Sequence, residues 1–453
     1  MAPLGKVKLL EVCRVSPPTG SVADTSLPLT CFDVIWLQLP PVQRLFFYHL
    51  PPKPPFLSTT HLLNSLKHSL SLALRLFYPL AGRLTADHVI RYVDGDSVSL
   101  SIATSDADFP RLVSDYPRAA AEFHPLVPKL HVESDSSNPP LLALQITVFP
   151  NSSGICIGTT THHAAADGSS SIHFMKSWAA IFRSGDESLI TSPPFYDRSA
   201  MTRPLDKLRN LLLDDLARIR LDRILEAASV KHRTSPVRAT YQVNRAHIEL
   251  IRQHVSAQRR KDCRKPLNFS PYTLTCAYVW VCLLRAGSGG DDAAAGRIAH
   301  FAFPSGCRAR LQPPIPGTYF GNCLAPKFVQ VARSDLCGED GVGLAAEAIW
   351  REIEGLDSTV LEGAEGWVQR AGEWAGERVV TVAGSPKIRV YDTDFGWGKP
   401  KKVEIISIEE TGAIALAESR EGGGFEVGLV LPKSEMERFA CLFDAGLRAL
   451  SLP

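Results

Sequence analysis

Nowhere in its 453 residues does the chain run eighteen or more apolar residues in succession, so no segment has the length that a membrane-spanning helix needs. It also lacks a strong charge of either sign. Lys and Arg number 49 against 47 Asp and Glu, which argues against a nucleic-acid-binding face or a polybasic membrane patch. The opening stretch MAPLGKVKLLEVCRVSPP has no apolar core followed by small residues, so a short strand is expected there and not a signal peptide. No C-x-x-C pair occurs among the ten cysteines, several of which lie in apolar stretches such as TCAYVWVC at 275–282. Buried thiols in a reducing compartment account for this better than a disulfide framework or a zinc site, and a cytoplasmic protein is expected.

Several chemical signatures are missing too. No Gly-rich loop ends in G-K-[ST], no dinucleotide fingerprint occurs, and no G-x-S-x-G elbow supports a serine nucleophile. Asp394-Phe395-Gly396 invites a kinase reading, but the chain has neither an H-R-D loop nor a V-A-I-K strand. H-E-x-x-H is absent as well, so no metal site is expected.

What is present reads as a two-domain α/β protein, since this length exceeds one ordinary core. His61–Phe77 carries leucines at helical spacing, and Thr59 or Thr60 is placed to cap it. Residues 141–149 and 154–158 read as a hairpin turning through Pro150, Asn151 and Ser152. After Asp167-Gly168, Ile172, Met175, Trp178, Ile181 and Phe182 share one helical face, with Phe174 off it. The mixture of charge, Pro and Ser at 184–204 predicts an exposed crossover, and the amphipathic stretch 205–229 opens the second half. The expected division is a domain over 1–190, a crossover loop over 191–220 and a domain over 221–453. In the second half a helix is expected near 270–285, a loop at 287–296, and strands at 297–304, 387–393, 401–408, 413–418 and 425–431. Ser434-Glu435-Met436-Glu437 reads as a capping box for a last helix, with Met436, Phe439, Leu442, Phe443 and Leu447 facing inward.

The chemistry concentrates in TTTHHAAADGSSS at 159–171. Neighbours on a strand face opposite ways, so only one of His162 and His163 can enter a given cleft. A neutral imidazole can take a proton from a hydroxyl at neutral pH. The small residues Ala164–Ala166 and Gly168 leave such a ring unobstructed. Asp167 could be a base, a ligand, or a buried carboxylate paired with an arginine, and buried carboxylates are normally paired. Asp394, Gly396, Trp397 and Gly398 make a tight turn whose glycines accept unusual backbone angles and whose aromatics anchor it.

His163-Ala-Ala-Ala-Asp167-Gly168 and DFGWG at 394–398, about 230 residues apart, together resemble the plant BAHD acyltransferases. LPLTCFDVIWLQLPPVQRLFFY (27–48), YPLAGRL (78–84), SPYTLTCAYVW (270–280) and GGFEVGLVLPKSEMERF (423–439) are similar to the same family, so the likeness spans nearly the whole chain. YFGNC at 319–323 resembles the flavonoid and anthocyanin glycoside branch.

The resemblance implies two chloramphenicol-acetyltransferase-like domains joined by a crossover loop, with a channel between them. It implies an acyl-CoA co-substrate, no bound cofactor or metal, and transfer of a malonyl or hydroxycinnamoyl group to a sugar hydroxyl of a phenolic glycoside. His163 would be the general base, with no acyl-enzyme. Asp167 would hold the histidine loop through an arginine, for which Arg308 is the match and Arg310 the reserve. The DFGWG residues would be structural.

Gly306 stands where the family commonly has Asp before Cys-Arg. Lys399, after DFGWG, replaces an Arg found where acceptors bear carboxylates, which argues against a shikimate- or quinate-type acceptor, and it is a candidate substrate contact. Ser171 stands where some malonyl-transferring relatives have Arg, so a malonyl carboxylate would need another cation. A monomer with no nucleic-acid or membrane partner is expected. The alternatives are a BAHD enzyme acting on a non-glycoside alcohol or amine, a condensation domain of the HHxxxDG type, and a non-catalytic binding protein on the same scaffold.

Overall fold

Strands rich in branched apolar residues need cover on both faces, and two adjacent ones, Leu142–Phe149 and Gly154–Thr161, are buried almost throughout. The computed structural model describes residues 5–50, 59–131, 138–150, 154–202, 205–220, 235–287, 297–374 and 377–450. Those two strands lie inside a six-stranded sheet. Its spatial order is Val7–Val15, Val98–Ser105, Leu142–Phe149, Gly154–Thr161, Val42–His49 and Lys402–Ile405. A seven-stranded sheet is built from Leu324–Ala332, Ile298–Gly306, Val379–Ala383, Ile414–Glu418, Phe425–Pro432, Pro236–Val243 and Arg118–Ala119. A small three-stranded sheet stands apart.

The large sheets exchange edge strands. Lys402–Ile405, late in the chain, pairs with Val42–His49, while Arg118–Ala119, early in the chain, pairs with Pro236–Val243. Buried charges mark the exchange. Glu404 meets Arg118 at 3.0 Å and Arg238 at 3.2 Å, and Lys402 meets Asp115 at 2.6 Å. Burial opposes the Glu404 charge, yet Arg118, Lys402 and Arg238 hold its carboxyl below the usual range.

The cores follow this exchange and not the sequence. One cluster gathers Phe46, Leu70 and Trp178 with Leu212, Tyr319, Trp367 and Phe395. A second gathers Ile251, Trp280, Phe301, Ile349 and Phe439. Helix Asp206–Ile219 buries Leu212 and Leu216 in the first cluster, so the start of the 205–229 stretch packs on the first half. Residues 221–234, the turn at 151–153 and most of the loop expected at 287–296 lie outside the described residues.

Three elements depart from expectation. Residues 387–393 form short turns at Pro386–Ile388 and Val390–Asp392 in place of a strand. Pro386 has no N–H for a ladder, and Arg389 between them takes a left-handed φ of 56°. Strand 401–408 stops at Ile405 and gives way to a short helix, Ile408–Thr411. The last helix starts at Lys433, directly after its strand, so Ser434 lies within the first turn and Glu435 pairs with Arg378. Its Met436, Phe439, Phe443 and Leu447 are buried, and Leu442 is partly so.

Helix Gly168–Ser184 carries the site. Asp167 caps its start and Gly185, at φ 70°, ends it. Phe174, off the expected face, is nevertheless buried, because the helix is covered on two sides. Its ring meets Phe77, which follows helix Thr59–Leu76, at 5.5 Å.

Candidate active site

A cavity of about 620 Å³ lies between the sheets. Trp36, Arg44, His163 and Ser171 from the first half line it, and Phe303, Arg308, Thr381 and Ile405 line it from the second. His163 opens the turn His163–Ala165, just past strand Gly154–Thr161. The two histidines thus sit beyond the strand, yet they still separate. His163 lines the cavity, while Nδ1 of His162 accepts the Ala164 N–H at 3.3 Å. Ala166 and Gly168 also line the cavity, but Ala164 and Ala165 are small because they pack fully into the core beneath the turn.

Trp36 stacks on the His163 ring, with centroids 4.2 Å apart and planes 6° apart. Nδ1 is buried and makes no well-aligned hydrogen bond, and the residue lines the cavity. Burial lowers the His163 pKa. The residue's own carbonyl, Asp167 and Asn322 act in the opposite sense, and Arg44 adds to the lowering. The ring is therefore neutral at pH 7. Burial and His163 together push His162 down to about 4.

Asp167 lines the cavity, but both of its carboxylate oxygens are bonded within the protein. Its Oδ2 accepts Arg308 Nη1 at 2.7 Å and the Cys323 N–H at 3.2 Å, and its Oδ1 accepts Arg308 Nη2 at 3.0 Å and the Ser170 N–H at 2.9 Å. This is a bidentate pair of the strong kind. Burial works against the Arg308 charge, but Asp167 reverses that and raises its pKa. Arg308 also donates to the carbonyls of Tyr319 and Gly321, fastening the YFGNC stretch beneath the histidine loop. Arg310 turns back to the Gly306 carbonyl at 2.6 Å. Gly306 lines the cavity, and a Cβ there would meet nothing within 4 Å.

Three positioning residues had no role assigned from sequence. Asn322 Nδ2 donates to the His163 carbonyl at 2.9 Å and to Asp33 Oδ1 at 3.1 Å. Asp33 is fully buried and also takes Arg198 Nη1 at 3.2 Å. A carboxylate within the apolar run CFDVIW was the available signal, because such a group needs partners when buried.

DFGWG docks at the far end of helix Gly168–Ser184. Asp394 Oδ1 accepts the N–H groups of Gly396 at 2.7 Å and Gly398 at 2.9 Å, and Arg183 donates to its carbonyl. Phe395 packs edge-on against Trp178 at 5.1 Å, and Trp397 packs against Tyr48 at 5.5 Å and Phe182 at 5.4 Å. None of these residues lines the cavity. Nor does Lys399, which reaches Asp392 at 3.5 Å. Gly398 sits at φ 86° in open space, so Gly398→Ala is expected to cost about 1–2 kcal/mol through backbone strain alone. Thermal unfolding beside the turnover of the folded fraction checks this; a drop in turnover larger than the loss of folded protein would contradict it.

Among the described residues no group of three or more His, Cys, Asp or Glu side chains could hold a metal ion, and no helix is long and apolar enough to cross a membrane. The chain matches the Transferase family over residues 6–445. It is 36% identical to a malonyl-coenzyme A:anthocyanin 3-O-glucoside-6''-O-malonyltransferase of Dahlia pinnata, covering 97% of both chains. It is also 36% identical to a coumaroyl-CoA:anthocyanidin 3-O-glucoside-6''-O-coumaroyltransferase of Arabidopsis thaliana, covering 99% of both. Vinorine synthase has a similar fold, with a TM-score of 0.72 at 20% identity over 98% of both chains. With the matches spanning nearly its full length, the chain belongs to the Transferase family of acyl-transferring enzymes, the BAHD acyltransferases.

Proposed function

We propose that the protein transfers a malonyl or hydroxycinnamoyl group from its CoA thioester to a sugar hydroxyl of an anthocyanin, flavonoid or other phenolic glucoside. The observation that carries this reading is His163, held against Trp36 and lining a cavity between the two sheets. The named relatives transfer malonyl or coumaroyl groups to anthocyanin glucosides. A cavity of about 620 Å³ suits a single glucoside with the acyl group, and the CoA arm would reach in from the mouth.

His163 Nε2 takes the proton of the sugar hydroxyl as its oxygen attacks the thioester carbonyl. The tetrahedral intermediate collapses with cleavage of the C–S bond, and the imidazolium returns the proton to the departing CoA sulfur. The enzyme ends as it began, with no covalent intermediate. Asp167, Arg308 and Asn322 position the loop and do not touch the reacting atoms. Buried free thiols such as Cys31, Cys156 and Cys276 fit a reducing compartment, and this reading places the enzyme in the cytoplasm as a monomer.

The test is a screen of malonyl-CoA and p-coumaroyl-CoA against flavonoid 3- and 7-glucosides, with product mass as readout. At least one pair is expected to give a mono-acylated glucoside, and no product from any pair would end this reading. The active pair also yields a pH profile. A base with a lowered pKa stays deprotonated as pH falls until that pKa is reached. The acid limb of kcat/KM is therefore expected below the ordinary histidine value of about 6.5, and a limb above it would contradict the assignment.

A further inference from the structure

Arg44 is a buried cation with no ion-pair partner among the described residues. It lies on strand Val42–His49, opposite Ile405 and Thr159 on the neighbouring strands, and shares the cavity wall with Val42 and Ile405. Only 5% of the residue is exposed. Its Nε is buried with no hydrogen-bond partner, and no described residue bonds its other two nitrogens or brings a carboxylate within 4.0 Å of them. A buried guanidinium is normally paired, because taking its charge out of water is costly. Burial indeed pushes its pKa down to about 10, and the only opposing influence is the charge of Glu418. That carboxylate accepts the Tyr391 N–H at 2.8 Å and does not reach Arg44.

The rest of the wall offers no substitute. Its titratable groups are Arg44, His163, Asp167, Arg308, Arg310 and Lys387, and the single carboxylate is already taken by Arg308. The wall thus carries an excess of positive charge, with Arg44 its deeply buried unpaired member. Arg44 and His163 line the same cavity. An anion bound to Arg44 would therefore share that space with the reacting atoms.

We propose that Arg44 selects the acyl donor, taking the free carboxylate of a dicarboxylic acyl-CoA such as malonyl-CoA into the cavity beside His163. The claim rests on the acyltransferase reading above and decides between the two donor classes it leaves open. In a malonyl thioester the carboxylate is one methylene away from the reacting carbonyl, so the cation that reads it has to be close to the base. Ser171 cannot supply that charge, and Arg44 can. Its guanidinium has a face suited to two parallel hydrogen bonds with a carboxylate. A neutral hydroxycinnamoyl group would leave that charge unpaired beneath an apolar ring.

Calorimetric titration of the purified protein with malonyl-CoA and with acetyl-CoA, which lacks only the carboxylate, tests this without any acceptor. Wild-type protein is expected to bind malonyl-CoA about 10- to 100-fold more tightly, the range of a charge-assisted hydrogen bond. In Arg44→Gln that ratio is expected to fall toward one, and in Arg44→Lys to recover in part. Equal affinity of wild-type protein for the two thioesters, or an unchanged ratio in Arg44→Gln, would overturn the role of Arg44. Should Arg44→Gln fail to fold, the wild-type ratio and Arg44→Lys still decide. Wild-type protein that binds neither of these thioesters nor p-coumaroyl-CoA overturns the acyltransferase reading itself, a result distinct from equal binding of malonyl-CoA and acetyl-CoA.

Discussion

His163→Ala is expected to lower kcat by roughly 10²- to 10⁴-fold, the usual contribution of a positioned general base, with little change in KM. The ring lines the cavity and stacks on Trp36. Removing it takes away a stacked contact and leaves no buried charge, so the protein should fold and melt close to wild type. What disappears is the one imidazole among the described residues that line the cavity. Measurement of kcat for the active donor–acceptor pair, with melting curves as the folding control, decides the matter. Equal rates in the two proteins would show that the hydroxyl loses its proton elsewhere.

Arg308→Met is expected to damage both stability and turnover. It leaves Asp167, 1% exposed, with only the Ser170 and Cys323 N–H groups as donors, and strips the Tyr319 and Gly321 carbonyls of a cation. Breaking one side of a buried pair typically costs about 3–5 kcal/mol. The loop that presents His163 runs directly into Asp167, so turnover of the surviving folded protein should fall at least about tenfold as the base loses its geometry. Denaturant unfolding and kcat, measured together, separate the two effects. Arg308→Lys should restore part of the stability and less of the rate, because a point charge cannot bridge both carboxylate oxygens. A variant as stable and as fast as wild type would remove Arg308 from the account.

Much of this was legible along the chain because the relevant forces are local. The leucine spacing of 61–77 and the apolar positions of 436–447 mark helices that bury one face. The run LLALQITVF marks a strand covered on both sides. The string from His163 to Asp167 could be read because a turn and a helix cap are local features, and Asp167 sits at the cap. Where local signals conflicted, the reading failed. The branched residues at 387–393 look extended, but Pro386 and the left-handed Arg389 break the ladder. Phe174 falls off the helical face, yet it is buried because a second helix end covers the other side.

The sequence by itself determined the α/β class, the histidine and its nearby carboxylate, and the absence of motifs for metal, nucleotide or serine chemistry. It did so because helical periodicity, strand burial and turn chemistry act over a few residues. Only the tertiary structure decided which strands trade places between the sheets, that Asn322 and Asp33 hold the His163 backbone, and that Arg44 lines the cavity with no ion-pair partner among the described residues. Those facts depend on contacts between residues more than a hundred positions apart, such as Asn322 with His163 and Lys402–Ile405 with Val42–His49. A buried charge is explained by what surrounds it, and those surroundings exist only once the chain has closed on itself.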